Sequence, residues 1–150
     1  MMLAVKAVLE KWIGKYTDLE LSFTEEINCH HNYAALENHY GENVWVHRKG
    51  AVRAREGELA VIPGAMGSYS YVVRGKGNEE SFCSSSHGAG RRYSRKGAMN
   101  AFTCEEVMND LKERQVVLGK KNKSDVAEES RFAYKDIDEV MKISPIWWSR

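Results

Sequence analysis

The residues best suited to chemistry lie in one stretch, Ser84-Ser85-Ser86-His87-Gly88-Ala89-Gly90-Arg91-Arg92-Tyr93-Ser94-Arg95. Hydroxyls lead into a single His, glycines follow, and Arg91, Arg92 and Arg95 close the run. Small residues let a ligand approach the backbone, hydroxyl and N–H groups donate hydrogen bonds, and guanidinium groups pair with phosphate oxygens. On residue types alone the stretch fits two readings, a phosphate site built around His87 or a solvated basic loop. A second cluster, Cys29-His30-His31-Asn32, places soft and imidazole donors side by side. It reads either as a structural His pair or as part of a metal site, with further ligands supplied from elsewhere. A small metal-dependent nuclease is a third reading, but the remaining ligands of such a site are not apparent.

These groups must be held by a scaffold of 150 residues, a length that fits one domain with its own core. Net charge is +1, so no bulk field attracts nucleic acid, and any such contact has to come from local patches. The cysteines, Cys29, Cys83 and Cys104, are odd in number and form no metal-type pair, which argues against a disulfide framework. No apolar run is long enough to span a bilayer, and the start lacks a signal-peptide pattern. A cytoplasmic location is the expectation.

The chain reads as helical at its ends and turn-rich between them. Val5, Val8, Leu9, Trp12, Ile13 and Tyr16 recur at helical spacing and predict a helix over 2–16. Its apolar side is expected to lie on the core, with a membrane-surface helix as the rival. Leu19, Leu21 and Phe23 alternate and predict a strand over 19–27. Residues 34–40 read as a short helix closed by Gly41. Strands are expected over 44–48, 51–54, 59–62 and 70–73, with turns at Lys49-Gly50, Glu56-Gly57 and Gly75-Lys76-Gly77-Asn78. Arg48, Lys49, Arg53 and Arg55 form a basic cluster that is either a solvated hairpin edge or a contact for an RNA backbone.

Ser94 can cap a helix over 95–102. Thr103 and Glu106 form a capping box for the next one, with Phe102 and Val107 as its hydrophobic staple. A basic loop over 119–124, an irregular stretch over 126–134 and a short helix over 136–142 follow, and the tail 144–150 fits no element. The fold class is therefore α+β, helices at both ends around a β-rich centre.

Separated stretches together resemble one family. They are Cys29-His30-His31-Asn32-Tyr33, Val46-His47-Arg48-Lys49-Gly50-Ala51, Pro63-Gly64-Ala65-Met66-Gly67 with Ser70-Tyr71-Val72-Val73, Ser86-His87-Gly88-Ala89-Gly90-Arg91 with Ser94-Arg95, and Ala133-Tyr134-Lys135-Asp136-Ile137-Asp138. In order and spacing they resemble the C-terminal portion of the RtcB-type RNA-splicing ligases over about residues 1–143. The chain would then be a single partial domain over 1–150 with a divergent tail, part of that family's mixed α/β fold.

The resemblance implies a reaction. Such ligases join an RNA 3′-phosphate or 2′,3′-cyclic phosphate end to a 5′-hydroxyl end, using GTP and Mn2+. A guanylylated His carries GMP, and here that residue is His87. The resemblance further implies His31 as a Mn2+ ligand and as a nucleotide contact together with Asn32. It implies nucleotide contacts at Pro63, Gly64, Ala65, Met66, Ser70, Gly88, Ala89 and Gly90, and Tyr134 near the guanine.

Family members carry Ser or Thr at the position of Ala65, so one hydroxyl contact has no counterpart. The family's N-terminal metal motifs have no match in this sequence. The implied partners are RNA ends such as tRNA halves, GTP, and a separate N-terminal portion that would complete the metal site. Alone, the chain is expected to be inactive and marginally stable or self-associating, with exposed strand edges and apolar surface. The alternative is a non-catalytic remnant that binds RNA or nucleotide weakly through Arg48, Lys49, Arg91, Arg92 and Arg95.

Overall fold

The computed structural model describes residues 2–119, 122–123, 125–143 and 148–149. The element order is α1 (Met2–Tyr16), β1 (Asn32–His39), β2 (Glu42–Lys49), β3 (Ala51–Arg53), β4 (Leu59–Ile62), β5 (Tyr71–Gly75), β6 (Ser84–Ser86), α2 (Arg95–Ala101), α3 (Cys104–Glu113), α4 (Val126–Glu129), α5 (Ile137–Ile143) and β7 (Trp148–Ser149). The α+β class stands. The strands form small antiparallel sheets: β1 with β2, β3 with β6, and β4–β5–β7.

Two apolar clusters support them. In one, Val52, Ala54, Ala60, Ile62 and Val73 of the sheet strands and their flanks meet Ile137 and Met141 of α5. In the other, Val107 and Leu111 of α3 pack on Val126 and Ala127 of α4. Ala89 packs against the first cluster and Met66 against the second, so the two glycine-bearing loops are each anchored by one small or flexible apolar residue.

Several expectations change. Residues 34–40 are strand, not helix. Tyr33, Ala35, Glu37 and His39 turn inward while Ala34, Leu36 and Asn38 face out, the alternation that a pleated strand imposes. Glu37 decides it: its carboxylate is buried and meets Arg48 of the paired strand, at 2.6 Å to Nη1 and 3.0 Å to Nη2. A helix would lose that partner. Tyr40 and Gly41, both at positive φ, form the hairpin turn.

The stretch 19–27 has no regular element, and among the described residues no strand pairs with it. It is tied to α1 instead, by an ion pair between Lys6 and Glu26 and by the Lys6 ammonium over the Phe23 ring. Helix α1 has the expected bounds but buries none of its residues; Val5, Val8, Leu9, Trp12 and Tyr16 are exposed. Its period is helical, yet the core it would cover lies elsewhere. Exposed apolar surface recurs on the outer face of the β1–β2 hairpin, where Leu36 and Trp45 stand opposite each other.

Within 126–134 the chain forms α4 and a 3-10 turn over Arg131–Ala133 rather than an irregular stretch. Trp148–Ser149 pairs with β5, so that part of the tail does join an element. The remainder of the tail, and residues 120, 121 and 124 of the expected basic loop, lie outside the described residues.

The caps form as read. Ser94 accepts from the Gly97 N–H, and Thr103 and Glu106 complete a reciprocal capping box. Thr103→Ala removes an acceptor for one free N–H at the start of α3. It should cost about 1 kcal/mol in urea unfolding, with α3 retained because its apolar stripe still packs on α4.

Candidate functional site

The strand β6 delivers His87 to the wall of a cavity of about 460 Å3. Its walls include Pro63, Gly64, Ala65 and Met66 on one side, Gly88, Ala89 and Gly90 on another, and Tyr134. Most of the residues singled out from the sequence therefore converge on one place. His31 joins them from the start of β1: its ring stacks on that of His87, with centroids 4.6 Å apart and planes 5° from parallel.

One glycine ties these segments together. The Gly50 N–H, in the turn between β2 and β3, donates to the His31 carbonyl at 2.8 Å and to Asn32 Oδ1 at 3.2 Å. The Gly50 carbonyl accepts from the His87 N–H at 3.3 Å. Gly50 has φ of 66°, a conformation that favours glycine, and a Cβ built on it would touch the His87 ring at 3.7 Å. The sequence marks Gly50 as a turn residue within one of the stretches that carry the resemblance; the structure shows its backbone bonded to the segments of both His31 and His87.

The cavity's other wall is set by a backbone rail over 129–135. The Met66 N–H donates to the Glu129 carbonyl, and the Arg131 N–H donates to the Met66 carbonyl, each at 3.1 Å. Further along, the Arg92 N–H reaches the Ala133 carbonyl at 2.9 Å and the Lys135 N–H reaches the Gly90 carbonyl at 3.0 Å. The rail thus holds both glycine-bearing loops.

It also supplies Glu129, which sequence reasoning missed. The Glu129 carboxylate accepts from Tyr134 Oη and from Arg91 Nη2, each at 2.5 Å. Arg91 Nη1 donates to the Glu128 carbonyl at 2.7 Å, and its guanidinium lies 4.6 Å from the centre of the Tyr134 ring. Arg91 is therefore engaged in bracing Tyr134. Burial and the hydrogen bond to Glu129 push the Tyr134 phenol above its ordinary value, so it stays a neutral donor. No local motif marks Glu129 as a partner; only the rail brings it there.

Two other expected contacts serve the loops themselves. Asn32 is exposed and its side chain accepts from Gly50. Ser70 Oγ accepts from the Gly64 N–H at 3.1 Å and closes the 63–70 loop. The basic cluster also separates. Arg48 is 2% exposed and bound to Glu37, Tyr33, Ser84 and the Phe82 carbonyl, so it cannot meet an RNA backbone. Arg53 is held by Glu58.

A metal ion does not fit these residues alone. Among the described residues no group of three or more His, Cys, Asp or Glu is placed to hold one. The parallel rings of His31 and His87 aim their in-plane lone pairs along parallel planes, whereas ligands must converge on one point about 2 Å away. The glycines beside His87 are open. Gly90 has φ of 76° and open space around its Cα, and a Cβ on Gly88 would meet only the Pro63 carbonyl at 3.7 Å. This leaves the backbone of the His87 loop approachable.

Comparisons with known proteins bear on the family of the chain. Residues 1–145 match the family model described as tRNA-splicing ligase RtcB. The chain is 46% identical over 138 residues to an RNA-splicing ligase RtcB1 of Escherichia coli, covering 92% of this chain and 32% of that protein. It is 38% identical over 133 residues to a tRNA-splicing ligase RtcB of Nanoarchaeum equitans, covering 76% of this chain and 28% of the relative. An RNA-splicing ligase RtcB of Mycobacterium tuberculosis is 37% identical over 131 residues, covering 76% of this chain and 30% of that relative. The chain thus spans about a third of the length of these relatives.

Proposed function

The chain belongs to the tRNA-splicing ligase RtcB family, and on that premise we propose that it carries the nucleotide-transfer centre of a GTP- and Mn2+-dependent RNA ligase. The observation that supports this reading most directly is His87 lining one cavity with Gly88–Gly90, the 63–66 loop and Tyr134, with the His31 ring stacked on its own. A neutral imidazole nitrogen is a competent nucleophile toward phosphorus. In the proposed first step a His87 ring nitrogen bonds to the α-phosphorus of GTP, and the bond to the bridging oxygen breaks to release pyrophosphate. An oxygen of an RNA 3′-phosphate then displaces His87 from that phosphorus. A 5′-hydroxyl oxygen finally attacks the activated 3′-phosphate and GMP leaves. A 2′,3′-cyclic phosphate end would first be opened by water.

This chain's own groups have defined parts in that scheme. Backbone N–H groups of Gly88, Ala89 and Gly90 would face phosphate oxygens. Tyr134, held by Glu129 and Arg91, would present its ring to the guanine. His31 would be one Mn2+ ligand. The remaining ligands would come from the rest of a family-length ligase, on the same polypeptide or another, since no group of three or more His, Cys, Asp or Glu among the described residues is placed to complete the set. The exposed apolar sides of α1 and of the β1–β2 hairpin are the surfaces such a portion would cover. The chain would then be a single partial domain. Among the described residues no helix is long and apolar enough to cross a membrane, and we place the ligase in the cytoplasm.

The test is incubation with GTP labelled at the α-phosphorus and Mn2+, alone and with the N-terminal portion of a family ligase. The expected result is no acid-labile GMP adduct alone and an adduct on His87 with the complement, lost in His87→Ala. An adduct on the isolated chain would show that its own residues suffice for the metal. No adduct with the complement, where a complete ligase reacts, would establish the non-catalytic remnant instead.

A further inference from the structure

A second cleft, of about 370 Å3, backs onto the first and shares Tyr134 with it. The backbone explains the adjacency. Arg91 and Tyr134 form an antiparallel bridge, and successive side chains on such paired segments point to opposite sides. Arg91 turns toward the His87 cavity, while Arg92 and Lys135, each one residue further on, line the second cleft.

The cations in this cleft are of two kinds. Arg131 is bidentate to Asp110, and Arg114 also reaches Asp110, so their charge is met within the protein. Arg92 and Lys135 are exposed, and neither forms a side-chain ion pair among the described residues. The nearby carboxylates are committed: Asp136 accepts from the N–H groups of Asp138 and Glu139, and Asp138 accepts from Tyr71 Oη. Tyr69 lines the same cleft and is 70% exposed, and its ring stacks on no other ring among the described residues. Free cations beside an open aromatic face are the elements that bind single-stranded nucleic acid, phosphates to the charge and bases to the ring.

We propose that this cleft is a single-stranded RNA subsite, in which Arg92 and Lys135 take backbone phosphates and Tyr69 stacks a base, leading the RNA end past Tyr134 to His87. The proposal rests on the ligase reading for the identity of the nucleic acid. A duplex does not suit a pocket of this size; one unstacked strand does.

The probe is a fluorescently labelled single-stranded RNA of about ten nucleotides, titrated with the full chain by anisotropy at several salt concentrations. Arg92→Ala with Lys135→Ala should weaken binding at least tenfold at low salt. It should also reduce the slope of log affinity against log salt by about 1.4, the share of two phosphate contacts on a single strand. Tyr69→Ala should weaken binding about tenfold with the slope unchanged. Circular dichroism checks that each variant is folded.

Unchanged affinity in the double variant, or no RNA binding by the parent chain, overturns the proposal. Displacement of the RNA by GMP or inorganic phosphate at comparable concentration also overturns it, assigning the cleft to a free nucleotide. The GMP adduct on His87 is scored separately. An adduct with the complement alongside RNA binding indifferent to these substitutions removes the subsite and leaves the ligase reading intact.

Discussion

Arg48→Ala is expected to cost about 3–5 kcal/mol in urea unfolding, because it strips a buried carboxylate of its counter-charge. Glu37 is 5% exposed and Arg48 2% exposed. The guanidinium holds both Glu37 oxygens, while Arg48 Nε donates to Ser84 Oγ at 3.0 Å and Nη2 to the Phe82 carbonyl at 3.0 Å. Those last contacts fasten the β1–β2 hairpin to the start of β6, the strand that ends beside His87. His39 lies 3.2 Å from Glu37, and half-exposed Arg55 lies 3.8 Å away; neither replaces a bidentate fork. A loss of this size is a large part of the stability of a domain. Replacing the pair together, Arg48→Met with Glu37→Leu, removes the orphaned charge and should recover most of the loss.

The pH dependence gives a second readout of the same pair. Hydrogen bonds from Arg48 hold the Glu37 carboxyl down at about 2 against an ordinary 4.5. A depressed carboxylate contributes stability that is complete above its unfolded value and is lost as pH falls from about 4.5 through about 2. The shift corresponds to about 3 kcal/mol. In Arg48→Ala burial acts on Glu37 without the guanidinium, so protonation relieves a penalty instead of breaking a bond. The stability gap between parent and variant should therefore narrow as pH is lowered from 7 toward 3. A gap that stays constant would mean that the pair contributes packing and not charge.

That pair also explains where local sequence signals mislead. Ala34, Ala35, Leu36 and Glu37 are good helix formers, and Gly41 resembles a helix stop. What makes the segment a strand is a carboxylate meeting a guanidinium eleven residues away, a tertiary fact with no periodicity of its own. The stretch 19–27 alternates, but alternation yields a strand only where a neighbour offers its backbone, and none is present among the described residues. Helix α1 has a readable period because period is local, whereas what its apolar side touches is not.

At the site, residue types singled out the stretch around His87, and the family resemblance supplied the rest. Pro63–Met66, His87–Gly90 and Tyr134 do line one cavity. Asn32, Ser70 and Arg91 lie near it with hydrogen bonds to the protein itself, a role that residue type does not announce. Glu129 and Gly50 act through backbone pairing that brings distant segments together, and such pairing leaves no pattern in the chain.

Gly64→Ala should be the most disruptive small substitution at the site. A Cβ built on Gly64 overlaps the Tyr69 carbonyl and lies 2.9 Å from the Ser68 Cβ. The obstacle is backbone, so no side chain can swing aside. The Gly64 N–H is also bonded to Ser70 Oγ, which holds both ends of the loop at this pinch. Accommodating one methyl group means opening the 63–70 loop, and Met66 lies in that loop, packed on the α3–α4 cluster and bonded to the rail at Glu129 and Arg131. The cost should reach about 3 kcal/mol, the upper part of the usual overpacking range, and exceed the few tenths gained by stiffening the unfolded chain. Gly90→Ala is the control: its Cβ meets nothing within 4 Å, so only the positive φ opposes it, at about 1–2 kcal/mol. If the loop's shape matters to the proposed transfer, Gly64→Ala with the complement should lose the His87 adduct even at temperatures where the chain stays folded. A folded Gly64→Ala chain that labels at the parent rate would instead show that the 63–66 wall is not part of the nucleotide site.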